Sequence, residues 1–332
     1  MLKLGVKDFN EIRKWMYRNA RHLELTLWQY EFENGRKDAV LGALSFYQNE
    51  DGGFGNALEP DSWNPDSTPY TTAIAIGILK VIGFTDVWHP IISGILRFLD
   101  SGVYFSEYGW DWSIPTNDDY PHAPWWNFTP NSAAAESGHT AELCSFILDV
   151  CEKDSALYKK ALTLAKKLIE IQDMPEDYDH NGGGVQGICI LVETLQSLNL
   201  LDKLDAKFSR ETLNKMVANS MVTDSSKWHN DGLGLPSEYI TTPGSMYYSG
   251  YQNLVQQELD FLIKTRPQQG VWNITWSWFE NTEKYANEWA VAKNWWKGFH
   301  TIIKMRYLKN FNRLETGGYC ESIYVRLRYR QR

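Results

Sequence analysis

The feature that most constrains this chain is a loose repeat. Five times, an aliphatic run of helical length is followed by a glycine-bearing turn, usually with an aromatic residue beside it. Val40 to Tyr47 leads into Asp51-Gly52-Gly53-Phe54-Gly55, and Ile92 to Leu99 leads towards Gly109-Trp110-Asp111-Trp112. Ala161 to Ile171 precedes Gln172 and Gly182-Gly183-Gly184, and Leu213 to Met221 precedes Asp231-Gly232-Leu233-Gly234. Leu254 to Ile263 precedes Gln269-Gly270-Val271-Trp272. Turns about 40 to 70 residues apart are too irregular for a short solenoid but accommodate helix pairs with insertions of varying length.

Further apolar runs lie between these units. Thr71 to Ile82 is apolar on nearly every side, as a helix enclosed by other helices must be. Ser132 to Cys151 begins with Pro130, Asn131 and Ser132, a capping signal. Val185 to Leu198 is mostly apolar, and Lys284 to Phe311 is the longest run. β-branched alternation is nearly missing; Ile114 and Val271 to Thr275 are short exceptions. The pattern predicts an all-α chain with two concentric layers, the more apolar helices inside. Residues 1–315 read as one domain of about five to six helical hairpins and 316–332 as a basic tail, where Arg326, Arg328, Arg330 and Arg332 oppose only Glu321.

One turn, Gln48-Asn49-Glu50-Asp51-Gly52-Gly53-Phe54, resembles the Gln-x-x-x-Gly-x-Trp motif of terpenoid cyclases and of protein prenyltransferase β-subunits, with Phe in place of Trp. Arg266-Pro267-Gln268-Gln269-Gly270-Val271-Trp272 keeps the Gly and the Trp of that motif. The resemblance implies an α/α toroid whose inner helices line a central cavity holding a small molecule. Its physical content is structural. A Gln side chain can tie helix-end groups to the next turn, Gly allows close backbone approach, and the ring fills the wedge between helices. The resemblance does not extend to the chemistry. Class II cyclases use an Asp-x-Asp-Asp proton donor, and the nearest string here is Thr116-Asn117-Asp118-Asp119. There is no Asp-Asp-x-x-Asp, and the zinc set of the prenyltransferases cannot be assembled.

Composition sets the bounds. The 332 residues carry a net charge of −8, without the basic footprint of a nucleic-acid binder. The N-terminus has no apolar signal core and no run is long enough to span a bilayer. Cys144, Cys151, Cys189 and Cys320 show no metal-binding spacing and read as small buried thiols, which points to a reducing, cytoplasmic setting. Oligomeric state is left open. Aromatic residues are the anomaly: 15 Trp, 18 Tyr and 14 Phe make up 14% of the chain.

Two long insertions concentrate acids and tryptophans. Asn56 to Ser67 holds Glu59, Asp61, Trp63 and Asp66 and is stiffened by Pro60 and Pro65. Gly109 to Asn131 holds Trp110, Asp111, Trp112, Asp118, Asp119, His122, Trp125 and Trp126, and the helix after it bears Glu136 and His139 on one face. Both insertions would roof one end of the cavity. Carboxylates near apolar walls or near each other have raised pKa values and suit general acid work, while aromatic faces suit cations or stacked rings. The catalytic candidates are therefore Glu59, Asp61, Asp118 and Asp119 with Glu136 and His139. The ligand-contacting candidates are Trp63, Trp110, Trp112, Trp125, Trp126 and Trp276. For any one acid, helix capping by Asp66 or Ser67, or solvation of Asp118 and Asp119, is the competing reading. For Trp272, Trp276 and Trp278 it is wedge packing, and for Trp289, Trp295 and Trp296 a packed seam. His139 and Glu136 lack a nearby third ligand, His122 being distant, so no metal and no cofactor are expected.

The expected activity is metal-free acid–base work on an apolar or aromatic-stackable small molecule. A glycosidase or lyase is the second reading, distinguished by carboxyl separations of about 5–5.5 Å for retention and about 6.5–9.5 Å for inversion. A non-catalytic toroidal binding or scaffold protein is the third. On the first reading, Asp61→Asn abolishes turnover and leaves the thermal midpoint nearly unchanged.

Overall fold

The computed structural model describes residues 1–134, 137–170, 184–204, 206–229 and 234–315. Glu136, the turns through Gly182-Gly183 and Asp231 to Leu233, and the 316–332 tail lie outside the described residues.

Helix is the dominant structure, because the apolar residues recur at helical spacing. The helices are α1 (Val6–Asn19), α2 (His22–Phe32), α3 (Lys37–Ser45), α4 (Pro69–Val81), α5 (Pro90–Asp100), α6 (Gly138–Val150), α7 (Ala156–Ile169), α8 (Gly184–Ser197), α9 (Arg210–Ser220), α10 (Tyr248–Thr265), the single turn α11 (Asn281–Lys284) and α12 (Ala286–Asn310). The one sheet among the described residues is a two-residue antiparallel pair, Phe105–Ser106 with Gly109–Trp110. Val271 to Thr275 forms no strand.

Each of the five aliphatic runs begins inside a helix that starts a few residues earlier; those of α5 and α10 lie wholly within it, whereas α3 and α9 end before Tyr47 and Met221. The run predicted from Ser132 divides instead: Ser132–Ala134 forms a 3-10 turn and α6 starts at Gly138. Neither Asp66 nor Ser67 caps α4. Thr68 accepts the Thr71 N–H at 2.9 Å and Pro69 occupies the first helical turn, where its missing N–H costs nothing. Ser155 and Ser209 cap α7 and α9 in the same way.

Burial separates two kinds of helix. α5 turns one face inward through Ile91, Ile92, Ile95, Phe98 and Leu99, and α7 does so through Leu157, Ala161, Leu164 and Leu168. α4 and α6 are buried on nearly all sides. α6 packs against α4, α7 and α8, and α5 packs on α7. The contacts continue around the molecule. Gln186 at the start of α8 donates to Glu238, in the 236–238 turn that packs on α10; α10 meets α12, and α12 meets α2. Tyr30 of α2 donates to the Ile82 carbonyl at the end of α4. The ends of the described chain also meet: Leu4 N–H donates to the Arg313 carbonyl at 2.8 Å, and Glu315 N–H returns to Leu4 at 3.0 Å.

The Gln48 turn works as its chemistry predicts. Gln48 Nε2 donates to the Gly52 and Ile91 carbonyls, both at 2.9 Å, joining the turn to the first residues of α5. Gly52 has φ +96°, and a Cβ there would lie 2.1 Å from the Gly94 carbonyl oxygen, so no larger residue fits. Phe54 is the buried wedge. At the last such turn, Trp272 is the wedge, its indole donating to the Leu262 carbonyl at 3.0 Å.

Apart from the main core, the aromatics build a second cluster. Ala123, Trp126, Trp278, Trp289 and Ala292 form its centre, with Trp63, Tyr70, Trp112, Trp125, Ile274, Trp276 and Tyr285 packed around them. It joins both insertions to residues 274–278 and to α12. No described helix is long and apolar enough to cross a membrane.

Candidate acid pair in a tryptophan cluster

The two insertions are zipped to each other by backbone bonds. Ala123 N–H donates to the Asp61 carbonyl and Trp63 N–H to the Pro121 carbonyl, both at 2.9 Å. Across the same seam Asn64 Nδ2 donates to Asn117 Oδ1 at 2.8 Å, and Asn117 Nδ2 to the Trp126 carbonyl at 3.0 Å. His122 helps to lock the second insertion. One ring nitrogen lies 2.6 Å from the Tyr120 carbonyl and the other 2.7 Å from Asn127 Oδ1, so neither is available to a metal.

This seam buries Glu59 and Asp61, each only 2% exposed. Asp61 accepts two indole N–H groups: Trp278 at 2.6 Å on Oδ1 and Trp276 at 3.0 Å on Oδ2. Its backbone N–H donates to Glu59 Oε1 at 3.2 Å, which holds the two acids side by side. Burial disfavours the charged form of both. For Glu59 the Asp61 charge adds to burial, while the Asp61 N–H, Arg21 and Trp126 oppose it, and its pKa is pushed up to about 8. Burial also raises Asp61, but donors on Trp278, Trp296 and Trp276 favour its anion, and it reaches only about 6. The indole N–H groups of Trp126 and Trp296 face these carboxylates without closing to hydrogen-bond distance. At neutral pH the pair therefore divides into a protonated Glu59 and an ionised Asp61, opposed protonation states set by environment.

Arg21, in the link between α1 and α2, fixes the approach to Glu59. Its Nε donates to both oxygens of buried Glu24 at 2.8 and 2.7 Å; Nη1 reaches the Ala57 carbonyl at 2.7 Å and Nη2 the Leu58 carbonyl at 3.0 Å. The guanidinium also lies 4.9 Å from the Trp295 ring centre, and Trp295 stacks on Trp63 at 5.4 Å and 11°. Asn56 and Ala57 both have left-handed φ, near +57° and +56°. For Ala57 that conformation costs about 1–2 kcal/mol, sustained by the Arg21 contacts just before the acid.

His139 is buried beneath the cluster. Its Nε2 sits 2.5 Å from the Trp110 carbonyl, so that nitrogen carries the proton, and the buried Nδ1 has no partner among the described residues. Burial depresses its pKa to about 4, keeping the ring neutral. Tyr70 lies between it and Trp126, with ring centres at 5.9 and 4.6 Å.

The other expected residues fall elsewhere. Asp118 and Asp119 are exposed, and Asp118 accepts the Phe128 N–H at 2.8 Å as a loop tie. The 3-10 turn Pro115–Asp119 turns Asn117 inward and the two acids out. Glu136 lies outside the described residues. Trp110 sits in the main core against Phe105, and only its carbonyl reaches the site, through His139. Trp63, Trp112, Trp125, Trp126 and Trp276 all join the second cluster. Sequence reasoning missed Arg21 and Glu24. It also missed that Trp278, packed at the buried centre of the second cluster, donates to Asp61, and that Trp295 packs by stacking on Trp63. Among the described residues no group of three or more His, Cys, Asp or Glu side chains is placed to hold a metal ion.

A second buried acid stands apart from this pair. Glu258 of α10 accepts the Ser237 N–H and hydroxyl at 2.8 and 2.5 Å and the Tyr307 hydroxyl at 3.1 Å. These bonds tie α10, the 236–238 turn and α12 together. A separate depression of about 470 Å³ is lined by Glu193, Gln196, Thr241, Thr242, Ser245 and Met246 and includes none of the acid-pair residues.

Comparison with models of known protein families, with curated proteins and with solved structures finds no match.

Proposed function

We propose that the chain is an α/α toroid of the terpenoid-cyclase and prenyltransferase kind, and that it performs acid–base chemistry on an apolar or ring-bearing small molecule beside Glu59 and Asp61. The packing of α4 on α6 and α6 on α8, and of α10 on α12 and α12 on α2, with single hydrogen bonds from α2 to Ile82 after α4 and from α8 to the 236–238 turn on α10, supports the closed ring. The observation that carries the chemistry is the Asp61 carboxylate, held by two indole N–H groups next to a Glu59 that burial keeps protonated. Glu59 is the general acid. It gives its proton to a substrate double bond or leaving oxygen and becomes a carboxylate. The surrounding Trp faces stabilise the cation that forms, and the ionised Asp61 stabilises it electrostatically and accepts the proton lost at the end.

The test uses the full chain and its own tryptophan emission. Farnesol and maltotriose are titrated separately into wild type and Glu59→Gln, and the products of long incubations are analysed by gas chromatography. Saturable quenching by farnesol, with a cyclic isomer of unchanged mass formed by wild type and not by Glu59→Gln, supports the proposal. Saturation by maltotriose with release of shorter sugars transfers the acid pair to a glycosidase. Saturation by neither compound overturns the small-molecule reading.

A further inference from the structure

Helices α4, α6 and α8 run side by side in one direction. At their starts Tyr70 lies beside His139, and Gly187 meets the backbone of Gly138. Further along, Lys80 of α4 faces Glu142 and Asp149 of α6 and Glu193 of α8. Lys80 is ten residues beyond Tyr70, a rise of about 15 Å away from the tryptophan cluster.

The charges at this far end are not closed into pairs. Among the described residues, none of the ten ion pairs within 4.0 Å includes Lys80, Glu142, Asp149 or Glu193, and neither Glu142 nor Glu193 accepts a hydrogen bond. Three carboxylates face one ammonium, so two negative charges are in surplus. Burial raises the pKa of Glu142 and of Glu193, and Lys80 opposes it in both. Glu142 is enclosed by protein yet keeps some contact with solvent, as a side chain on the wall of a hollow does. The exposed Arg210, with Nη1 2.9 Å from Met246 Sδ at the outer rim, is screened by water and leaves the inner surplus in place.

The hollow itself is visible on two sides. Gly77 precedes Lys80 by three residues and shares its face of α4. Glycine inside a helix is destabilising relative to alanine, and no neighbour here demands it, because a Cβ would meet nothing within 4 Å. On the α8 side, Glu193 also lines the depression of about 470 Å³, together with Gln196, Thr242 and Ser245. That volume is in the range of small-molecule sites, about 300–1,000 Å³.

We propose that the hollow between Gly77, Glu142 and Glu193 binds a small aliphatic polyamine. Two ammonium groups match the two surplus carboxylates, one at Glu142 and one at Glu193, and the methylene chain between them lies along the bare backbone at Gly77. The Gln196 amide oxygen and the Thr242 and Ser245 hydroxyls supply acceptors for the remaining N–H groups. Lys80 sets the count, since it neutralises one acid and repels any further cation. A metal ion fits less well, because no group of three His, Cys, Asp or Glu side chains among the described residues is placed to hold one. The site is separate from Glu59 and Asp61 and does not rest on their chemistry.

The probe is spermidine, titrated calorimetrically into the full chain at pH 7.5 in about 0.15 M sodium chloride, which screens loose surface attraction. One saturable site is expected in wild type, weakened about tenfold or more in Glu142→Gln, Glu193→Gln and Gly77→Leu. Lys80→Met is expected to tighten binding about threefold or more, because a competing ammonium is gone. Glu211→Gln, at an exposed acid of α9, and Glu59→Gln are expected to bind as wild type does. Circular dichroism establishes that each variant is folded. Glu193 is exposed and Gly77→Leu fills open space, so these two serve if Glu142→Gln does not fold. Absence of saturation in wild type, or unchanged affinity in both Glu193→Gln and Gly77→Leu, overturns the proposal. Equal weakening in Glu211→Gln overturns it as diffuse attraction to an acidic chain, and equally tight binding of 6-aminohexanoate overturns it in favour of a zwitterion.

Discussion

Asp61 Oδ1 accepts the Trp278 indole N–H at 2.6 Å from a residue 217 positions away in sequence. This bond, with that of Trp276, fastens the first insertion to the segment before α11 and gives one carboxylate both a structural and an electrostatic role.

Trp278→Phe removes a buried donor from an anion and is expected to cost about 1–3 kcal/mol. Trp276→Phe, at a half-exposed ring, is expected to cost less. Asp61→Asn is now expected to lower the thermal midpoint as well, because its amide NH2 would be aimed at an indole N–H. Chemical denaturation of the three variants gives the order; equal effects of the two tryptophan changes would contradict it.

Arg21→Ala leaves Glu24 buried without its partner and frees the Ala57 and Leu58 carbonyls. The expected loss is about 3–5 kcal/mol, with a smaller loss in the double variant Arg21→Met/Glu24→Leu, which leaves no lone charge. A double-mutant cycle by urea unfolding measures the difference.

Stability depends on pH in a direction set by the buried acids. Glu59, Glu238 and Glu258 have folded pKa values above their ordinary one, so the folded chain holds their protons longer. The stability this gives is complete at low pH and is lost as pH rises through about 7 to 8. His139 and His300 act oppositely, since their folded values fall to about 4 and about 3; their stability is present above the ordinary histidine range and is lost as pH falls. Between pH 6.5 and 8.5 the acids dominate, and the thermal midpoint is expected to fall. Glu59→Gln reduces that fall. A midpoint that rises across this window would contradict the assignment.

Gly52→Ala tests the turn that resembles the cyclase motif. With φ at +96° and the Gly94 carbonyl 2.1 Å from the added methyl, the backbone must move. The expected loss exceeds about 2 kcal/mol, whereas Gly42→Ala, which meets nothing within 4 Å inside α3, is expected to be neutral or mildly stabilising. Thermal unfolding of both variants checks the contrast.

The legible parts of this fold are those with local periodicity. Aliphatic runs placed α3, α4, α5 and α7 to α10 because a core-facing helix needs apolar residues every three or four positions. Residues 6–32 lack the glycine turn, so α1 and α2 go unannounced, and Arg21 with them. Both acid-bearing insertions were visible as sites of dense Trp and carboxylate. Which acids turn inward was not, because burial in irregular chain depends on tertiary bonds such as Asn64 to Asn117. That is why Glu59 and Asp61 are buried while Asp118 and Asp119, equally acidic and equally near tryptophans, face solvent. A sequence also cannot show an indole bonding a carboxylate 217 residues away.

The central claim is that Glu59 holds a proton at neutral pH while Asp61 does not. Infrared difference spectroscopy of the full chain, titrated from pH 5 to 10 and compared with Glu59→Gln, measures this directly. The predicted result is a protonated-carboxyl component that titrates near pH 8 and is missing in Glu59→Gln, beside components titrating near pH 7 from Glu238 and Glu258 that both proteins share. A Glu59 already ionised at pH 5 would contradict the account.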